Sequence, residues 1–325
     1  MRVLNLTSNR MARFYVQQVD VLERLGVDQT TLSPPGSEHI QMDSDEARSP
    51  LDYARFVPEV LAHLDDDYDL IHANYGLSVP PALLQSKLPV VLSLWGSDLM
   101  GEYGWLCKRL AKRCDAVIVM SQDMADQLPC DSYVIPHGVN FDRFRPIPRE
   151  EALETAGWDP DAKNVLFPYP PNREVKDFPK AERVVEAVDD LLDEPVEIRT
   201  LSGVAHEDMP YYYNAADAML MTSVHEGSPN SVKEALACNT PVVSVDVGDV
   251  RERLSGVGNA AVCDAEAELV SQLATVLRSG ERSNGREVVR ELSLEHMGQR
   301  ILDVYEQVLD LPRKDADLNR RVSIV

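Results

Sequence analysis

Short apolar runs alternate with stretches of helical periodicity along most of the chain. In the first half the runs are Val3–Leu6, Thr30–Leu32, Leu70–His72, Val90–Leu94, Ala116–Met120 and Tyr133–Ile135. A second series comprises Val165–Phe167, Val196–Leu201, Ala218–Leu220, Val242–Val245 and Ala261–Val262. Brief, continuous apolar runs between helical patterns predict strands covered on both faces, the α/β arrangement with parallel sheets. Between the two series, "NFDRFRPIPREE" (140–151) breaks the rhythm with two prolines and mixed charge, as a linker does.

The expected architecture is two Rossmann-like domains facing a central cleft, with an N-terminal domain over residues 1–145 and a second over 146–285. Residues 286–325 form a C-terminal helix and tail that pack back towards the first domain. The helix is expected as one long pattern, "EVVRELSLEHMGQRILDVYEQVLD", and "RKDADLNRRVSIV" as a frayed end.

Composition narrows the function. The chain has 325 residues, 44% of them hydrophobic, as in ordinary globular proteins. No apolar run approaches a membrane span, and "MRVLNLTSNR" has too short an apolar core for a secretory signal. The five cysteines are scattered, without metal-ligand spacing, and are expected as small buried hydrophobes in a reducing cytosol. The expected location is therefore cytoplasmic.

Fifty-four acidic residues against 32 basic ones give a formal net charge of −22. Such a surface repels phosphate backbones, so nucleic acid is not an expected partner. With lysine scarce, the balance resembles that of proteins from extreme halophiles, where acidic surfaces preserve solubility.

The most informative stretch is "HEGSPNSVKEALACNTPVVSVDVGD" (225–249). Asp217–Val224 precedes it as a buried strand. Ser228 is placed as N-cap, with Pro229 at the first helical position, where its missing N–H costs nothing. The helix is expected to end near Cys238, before Asn239 and Pro241, and a strand follows. Backbone amides from Gly227 to Ser231 would then lie at a helix N-terminus, a favourable place for phosphate. Glu234 lies five residues beyond Pro229, about 7.5 Å along the axis. That separation suits one carboxylate on a sugar, the other on a ribose, and a pyrophosphate between.

"HEGSPNSVKEALACNTPVV" resembles the E-x7-E region of GT-B glycosyltransferases of family 4, retaining enzymes that use nucleotide sugars. "YYYNAADAMLMTS", "VDVGDVRERL", "HGVNFDRFRP" and "LSLWGSDL" extend the resemblance from about Tyr68 to Arg253. It implies that Glu226 contacts the donor sugar and Glu234 the ribose. Gly227, Ser228, Pro229 and Asn230 would surround the sugar and distal phosphate. Arg173 and Lys176, in "PYPPNREVKDF", would neutralise the departing diphosphate. The loop "TLSGVAHED", with Gly203 and Val204, is the expected place for the base. No metal or other cofactor is implied.

The chain also departs from the family pattern. "TSNRMARF" replaces a glycine-rich turn, so that Arg10 and Arg13 either bind a phosphate or face solvent. Trp95 stands where many members carry a histidine. Asp98 either orients an acceptor hydroxyl or caps the next helix, and His72 either faces the cleft or is a satisfied core histidine. Arg10, Arg13, His72 and Trp95 are the acceptor-side candidates; Glu226, Lys176, Arg173 and Asp98 are the catalytic ones.

Three Asp-x-Asp triplets (43–45, 65–67 and 315–317) lie in contexts unsuited to a metal site. "WLCKRLAKRC" (105–114) sets Lys108, Arg109, Lys112 and Arg113 on one helical face. That face is either ordinary surface or a peripheral contact, through Trp105 to Arg113, with the inner face of a membrane.

The leading expectation is a hexosyltransferase-like enzyme acting on a glycan, lipid-linked or small-molecule acceptor, as in polysaccharide biosynthesis. A catalytically silent nucleotide-sugar-binding partner and a sugar-nucleotide epimerase of the same fold are the alternatives.

Overall fold

The structure is a computed structural model, and it describes residues 1–34, 50–65 and 67–310. The acidic triplets at 43–45 and 315–317, the middle of that at 65–67, and the expected tail lie outside the described residues.

The chain divides into two compact units. The first comprises Met1–His137 and the C-terminal helix Leu294–Asp310, and the second is Gly138–Ser293.

The first unit is built on strands β1 (Arg2–Leu6), β2 (Asp28–Leu32), β3 (Leu70–Ala73), β4 (Val90–Leu94), β5 (Ala116–Val119) and β6 (Tyr133–Val134). They form one sheet in the order β2-β1-β3-β4-β5-β6, parallel at each pairing. Helix pattern and strand pattern agree with position in the sheet. Central β3, β4 and β5 are buried at every residue and read LIHA, VVLSL and AVIV, whereas edge β2 reads DQTTL and is largely half-buried.

The second unit holds β7 (Lys163–Phe167), β8 (Val196–Thr200), β9 (Ala218–Met221), β10 (Val242–Val245) and β11 (Ala261–Cys263). Their order is β11-β10-β9-β7-β8, again parallel. Each unit has its own apolar core, one centred on Leu4, Ile71 and Leu92, the other on Leu166, Leu220 and Leu236.

The long C-terminal pattern is broken where one expected helix was read. A short helix, Gly285–Val288, and a 3₁₀ turn, Arg290–Leu292, belong to the second unit. Ser293 is extended and bridges to Val139, which ends the helical course before Leu294–Asp310 begins. That last helix packs in the first unit, where Gly298 closes on Val21 so tightly that a Cβ would meet it at 2.9 Å.

Candidate functional site

In an open parallel sheet, ligands bind beyond the carboxyl ends of strands where the winding reverses. In the second unit that point lies between β7 and β9, because β8 lies on one side of β7 and β9 on the other. The loops leaving β7 and β9 carry Lys176 and Glu226, and these side chains meet there in an ion pair with 7% and 16% of their side-chain surface exposed.

Lys176 ends a 3₁₀ turn, Glu174–Lys176, after the β7 loop. Its ammonium lies 3.9 Å from the Tyr169 ring centroid, a cation–π contact. Burial holds the ammonium below its ordinary pKa against the opposing pull of Glu226. Lys176 therefore pairs across the site and not with Glu174 or Asp177, the neighbours a surface reading would give it. Arg173, three residues earlier, is exposed.

The segment Glu226–Pro229 leads into the helix Asn230–Ala237. The helix begins one residue later than expected: Pro229 is the capping residue, extended at φ −68° and ψ 117°, and Ser228 makes no capping bond. The first amides of a helix lack intrahelical acceptors, and here they face a turn holding Gly227, Ser228 and Asn230. Tyr169 reaches the same helix, its hydroxyl 2.5 Å from Ser231 Oγ.

Glu234 stands one turn further on. Its Oε1 is 2.8 Å from His206 Nε2, and its Oε2 accepts from the Tyr213 hydroxyl at 3.0 Å. His206 belongs to the loop after β8 that also contains Gly203, in left-handed conformation at φ +69°, and half-buried Val204. The Thr200–Asp208 loop, expected to lie at the base, thus comes to Glu234 through His206 and not through Gly203 or Val204.

Sequence reasoning missed Tyr169, His206, Tyr213 and Lys233. Tyr169 had a usable signal, its place two residues beyond β7 at the winding reversal. The others are set by tertiary contacts between a loop and helices distant in sequence.

The first unit corrects two site assignments. His72 lies within β3 and is fully buried, with Nδ1 2.6 Å from Tyr305 Oη and Nε2 2.8 Å from Ser93 Oγ. Desolvation lowers its pKa to about 3, so it is a neutral core histidine and cannot reach an acceptor. Asp98 lies inside the short helix Ser97–Met100, is 3% exposed, and takes the Trp95 amide hydrogen at 2.7 Å. Burial raises its carboxyl well above the usual range, the Trp95 amide opposing. It ties the β4 turn together from within and is not the N-capping residue of either helix beside it, those being Gly96 and Tyr103.

Trp95 is half-buried, its Nε1 donating to Asn74 O at 2.9 Å and its ring 4.2 Å from Phe14 and 6.0 Å from His137. Arg10 and Arg13 are exposed. In the helix Gly104–Ala111, Trp105 is 67% exposed beside exposed Arg109; Lys112 is exposed just beyond it and Lys108 is half-buried. Among the described residues no helix is long and apolar enough to cross a membrane, and no group of three or more His, Cys, Asp or Glu is placed to hold a metal ion.

Comparison with known proteins now bears on this geometry. Residues 11–143 match the family model described as Glycosyltransferase Family 4, and residues 178–279 match that described as Glycosyl transferases group 1. A putative teichuronic acid biosynthesis glycosyltransferase of Bacillus subtilis is 27% identical over 215 residues, 56% of this chain and 54% of the relative. A lipopolysaccharide core biosynthesis mannosyltransferase of Rhizobium meliloti is 29% identical over 217 residues, 57% of this chain and 61% of the relative. The match thus spans a little over half the length of these curated relatives.

Among solved structures, sucrose-phosphate synthase from Thermosynechococcus elongatus superposes with a TM-score of 0.74 at 19% identity, over 95% of this chain and 99% of that one. Anabaena HepE in complex with UDP-glucose superposes with a TM-score of 0.64 at 16% identity, over 94% of this chain and 100% of that one. At these identities the likeness speaks for architecture, and with two parallel-sheet Rossmann-like units and a glycosyltransferase match in each, the chain has the α/β GT-B fold.

Proposed function

We propose that the protein is a retaining, nucleotide-sugar-dependent glycosyltransferase, with the donor held in the second unit. One observation carries the proposal: the fold brings Lys176 and Glu226 together at the β7/β9 reversal, beside a helix N-terminus whose first turns lead to Glu234. A diphosphate would sit on the helix amides, since an N-terminus favours negative charge. Glu226 would take sugar hydroxyls and Glu234 those of the ribose, as charge-assisted hydrogen bonds.

Lys176 would exchange Glu226 for the diphosphate and offset the charge that develops on it as the sugar departs. Its partly desolvated position makes that interaction stronger than it would be in water. Arg173, exposed on the same loop, would approach the phosphates from the solvent side. No metal is required in this scheme, because ammonium, guanidinium and amides supply the positive field. HepE, solved with UDP-glucose, and relatives named as mannosyltransferases support a nucleotide-sugar donor and a glycan acceptor for this chain.

The same proposal includes a peripheral contact with an anionic membrane, through Trp105, Arg109 and Lys112, for a lipid-linked acceptor. Sedimentation with phosphatidylglycerol vesicles that a Trp105→Ala, Arg109→Glu variant loses would support the contact; equal sedimentation of both would remove it.

The deciding experiment is calorimetric titration of UDP, GDP and ADP into the protein, at low and molar KCl. Binding of one nucleotide, with its release from the cognate sugar donor only when acceptor is present, supports transfer. Conversion of the donor without acceptor would make the protein an epimerase, and binding without turnover a silent partner. No binding by folded protein would overturn the proposal.

A further inference from the structure

Directly beneath the turn Glu226–Pro229 the structure buries a lysine that the scheme above does not use. Lys233, one residue before Glu234, has no solvent exposure. Its Nζ donates to Ser228 Oγ at 3.2 Å. The facing charge is Asp249, 5% exposed, whose Oδ2 accepts from Arg253 Nε at 2.8 Å and whose Oδ1 is buried without a hydrogen-bond partner. Burial lowers the Lys233 pKa to about 8; Asp249 and Glu234 oppose that shift and Arg253 adds to it.

A fully buried ammonium needs compensation, because removing it from water costs several kcal/mol. An apolar side chain of similar length would fill the same space in the helix without that cost. The ammonium adds a directed bond to Ser228.

The backbone of the same acidic residue grips the turn as well. Asp249 N donates to Gly227 O at 3.1 Å, and Gly248 lies so close that a Cβ there would meet Gly227 O at 2.4 Å. Gly227 is thus fixed through its carbonyl and Ser228 through its hydroxyl, by two residues, Asp249 and Lys233, that balance each other electrostatically.

We infer that Lys233, with Asp249, is a positioning residue for the phosphate-binding turn: the buried Lys233–Ser228 bond, paired with the Asp249–Gly227 bond, sets the direction of the amides that open the helix. Lys233 does not touch the donor. It acts through Ser228, and its charge is held where solvent cannot compete. The inference rests on the donor site proposed above and adds the element that holds that site in shape.

The test compares wild type with Lys233→Met, Ser228→Ala and the double variant. Lys233→Met keeps the Asp249–Arg253 ion pair, so the variant should fold, with a thermal unfolding midpoint lowered by the loss of the charge that faces Asp249. In the ligand-free proteins, hydrogen–deuterium exchange of peptides covering residues 224–232 should accelerate in both single variants, with β9 and β10 peptides unchanged. Affinity for the nucleoside diphosphate that binds wild type should fall about tenfold in each single variant, and hardly further in the double variant. Affinity for the bare nucleoside should stay at its wild-type value.

Unchanged exchange at 224–232, or additive losses in the double variant, would overturn the inference. Equal losses for nucleoside and nucleoside diphosphate would also overturn it, since they would mark a general loosening of the unit. Should wild type bind no nucleotide, the donor reading fails, and the exchange data alone decide whether Lys233 orders the turn.

Discussion

His206 and Glu234, 28 positions apart, are joined by a 2.8 Å contact between Nε2 and Oε1, and Tyr213 holds the other carboxylate oxygen. The carboxylate proposed to receive a ribose is therefore already oriented by two protein groups. A ligand hydroxyl would find it in place, with little side-chain entropy left to lose.

Glu234→Ala should lower affinity for the cognate nucleoside diphosphate by at least about tenfold, the worth of a charge-assisted hydrogen bond. Its side chain is 14% exposed and satisfies the buried Tyr213 hydroxyl, so the variant should fold with a lowered unfolding midpoint. Calorimetry and thermal unfolding on one preparation check both halves. Wild-type affinity in the variant would remove Glu234 from the donor site.

Lys176→Met should act mainly on turnover. Removing a positive group that meets developing charge costs roughly a hundredfold in kcat. Donor KM should change far less if the interaction strengthens as diphosphate departs. Steady-state release of nucleoside diphosphate gives the two constants; a raised KM at unchanged kcat would place Lys176 in ground-state binding only.

Gly248→Ala should be damaging without removing any contact. Gly248 adopts φ +55°, and a Cβ would meet Gly227 O at 2.4 Å. Strain and displacement together should cost about 1–3 kcal/mol of unfolding free energy, measured by urea titration. Nucleotide affinity should fall as well, because the displaced atom belongs to the turn. A variant as stable as wild type would show that the loop relaxes at no cost.

His72 predicts an acid limb of stability. Its pKa is 6.5 when unfolded and about 3 when folded, desolvation being the cause. Between these values the unfolded chain binds the extra proton, so stability is full above pH 6.5 and falls as pH drops towards 3. The slope is about 1.4 kcal/mol per pH unit from this group. The gap in urea-unfolding free energy between wild type and His72→Gln should shrink with that slope from pH 6.5 downwards; a constant gap would refute it.

Much of this architecture was legible in the sequence because the central parallel strands are short, mainly apolar runs, such as VVLSL or AMLM. Every run read as a strand is one, with ends displaced by at most two residues, except that the strand read as Asp217–Val224 ends three residues earlier, at Met221. The Glu226–Glu234 segment was equally legible, since a turn, a proline and a helix are local features. His72 was not. LIHA reads alike whether the histidine faces solvent or Tyr305, which comes from 233 positions away. Lys233 escaped for the same reason: in "NSVKEALA" it looks like a surface lysine, and its burial beside Asp249 is a tertiary feature. Ser293, too, gives no local sign that the helical pattern stops there, because the bridge to Val139 is what stops it.

The division of the chain has a consequence for its synthesis. The first unit is discontinuous, taking its last helix from Leu294–Asp310, whereas Gly138–Ser293 is a single stretch. Emerging from a ribosome, the second unit can finish while the earlier-made unit still lacks Tyr305, the hydroxyl partner of buried His72. The part translated first thus completes its core last, and a nascent chain arrested before Leu294 would carry an unfinished N-terminal half behind a finished second one.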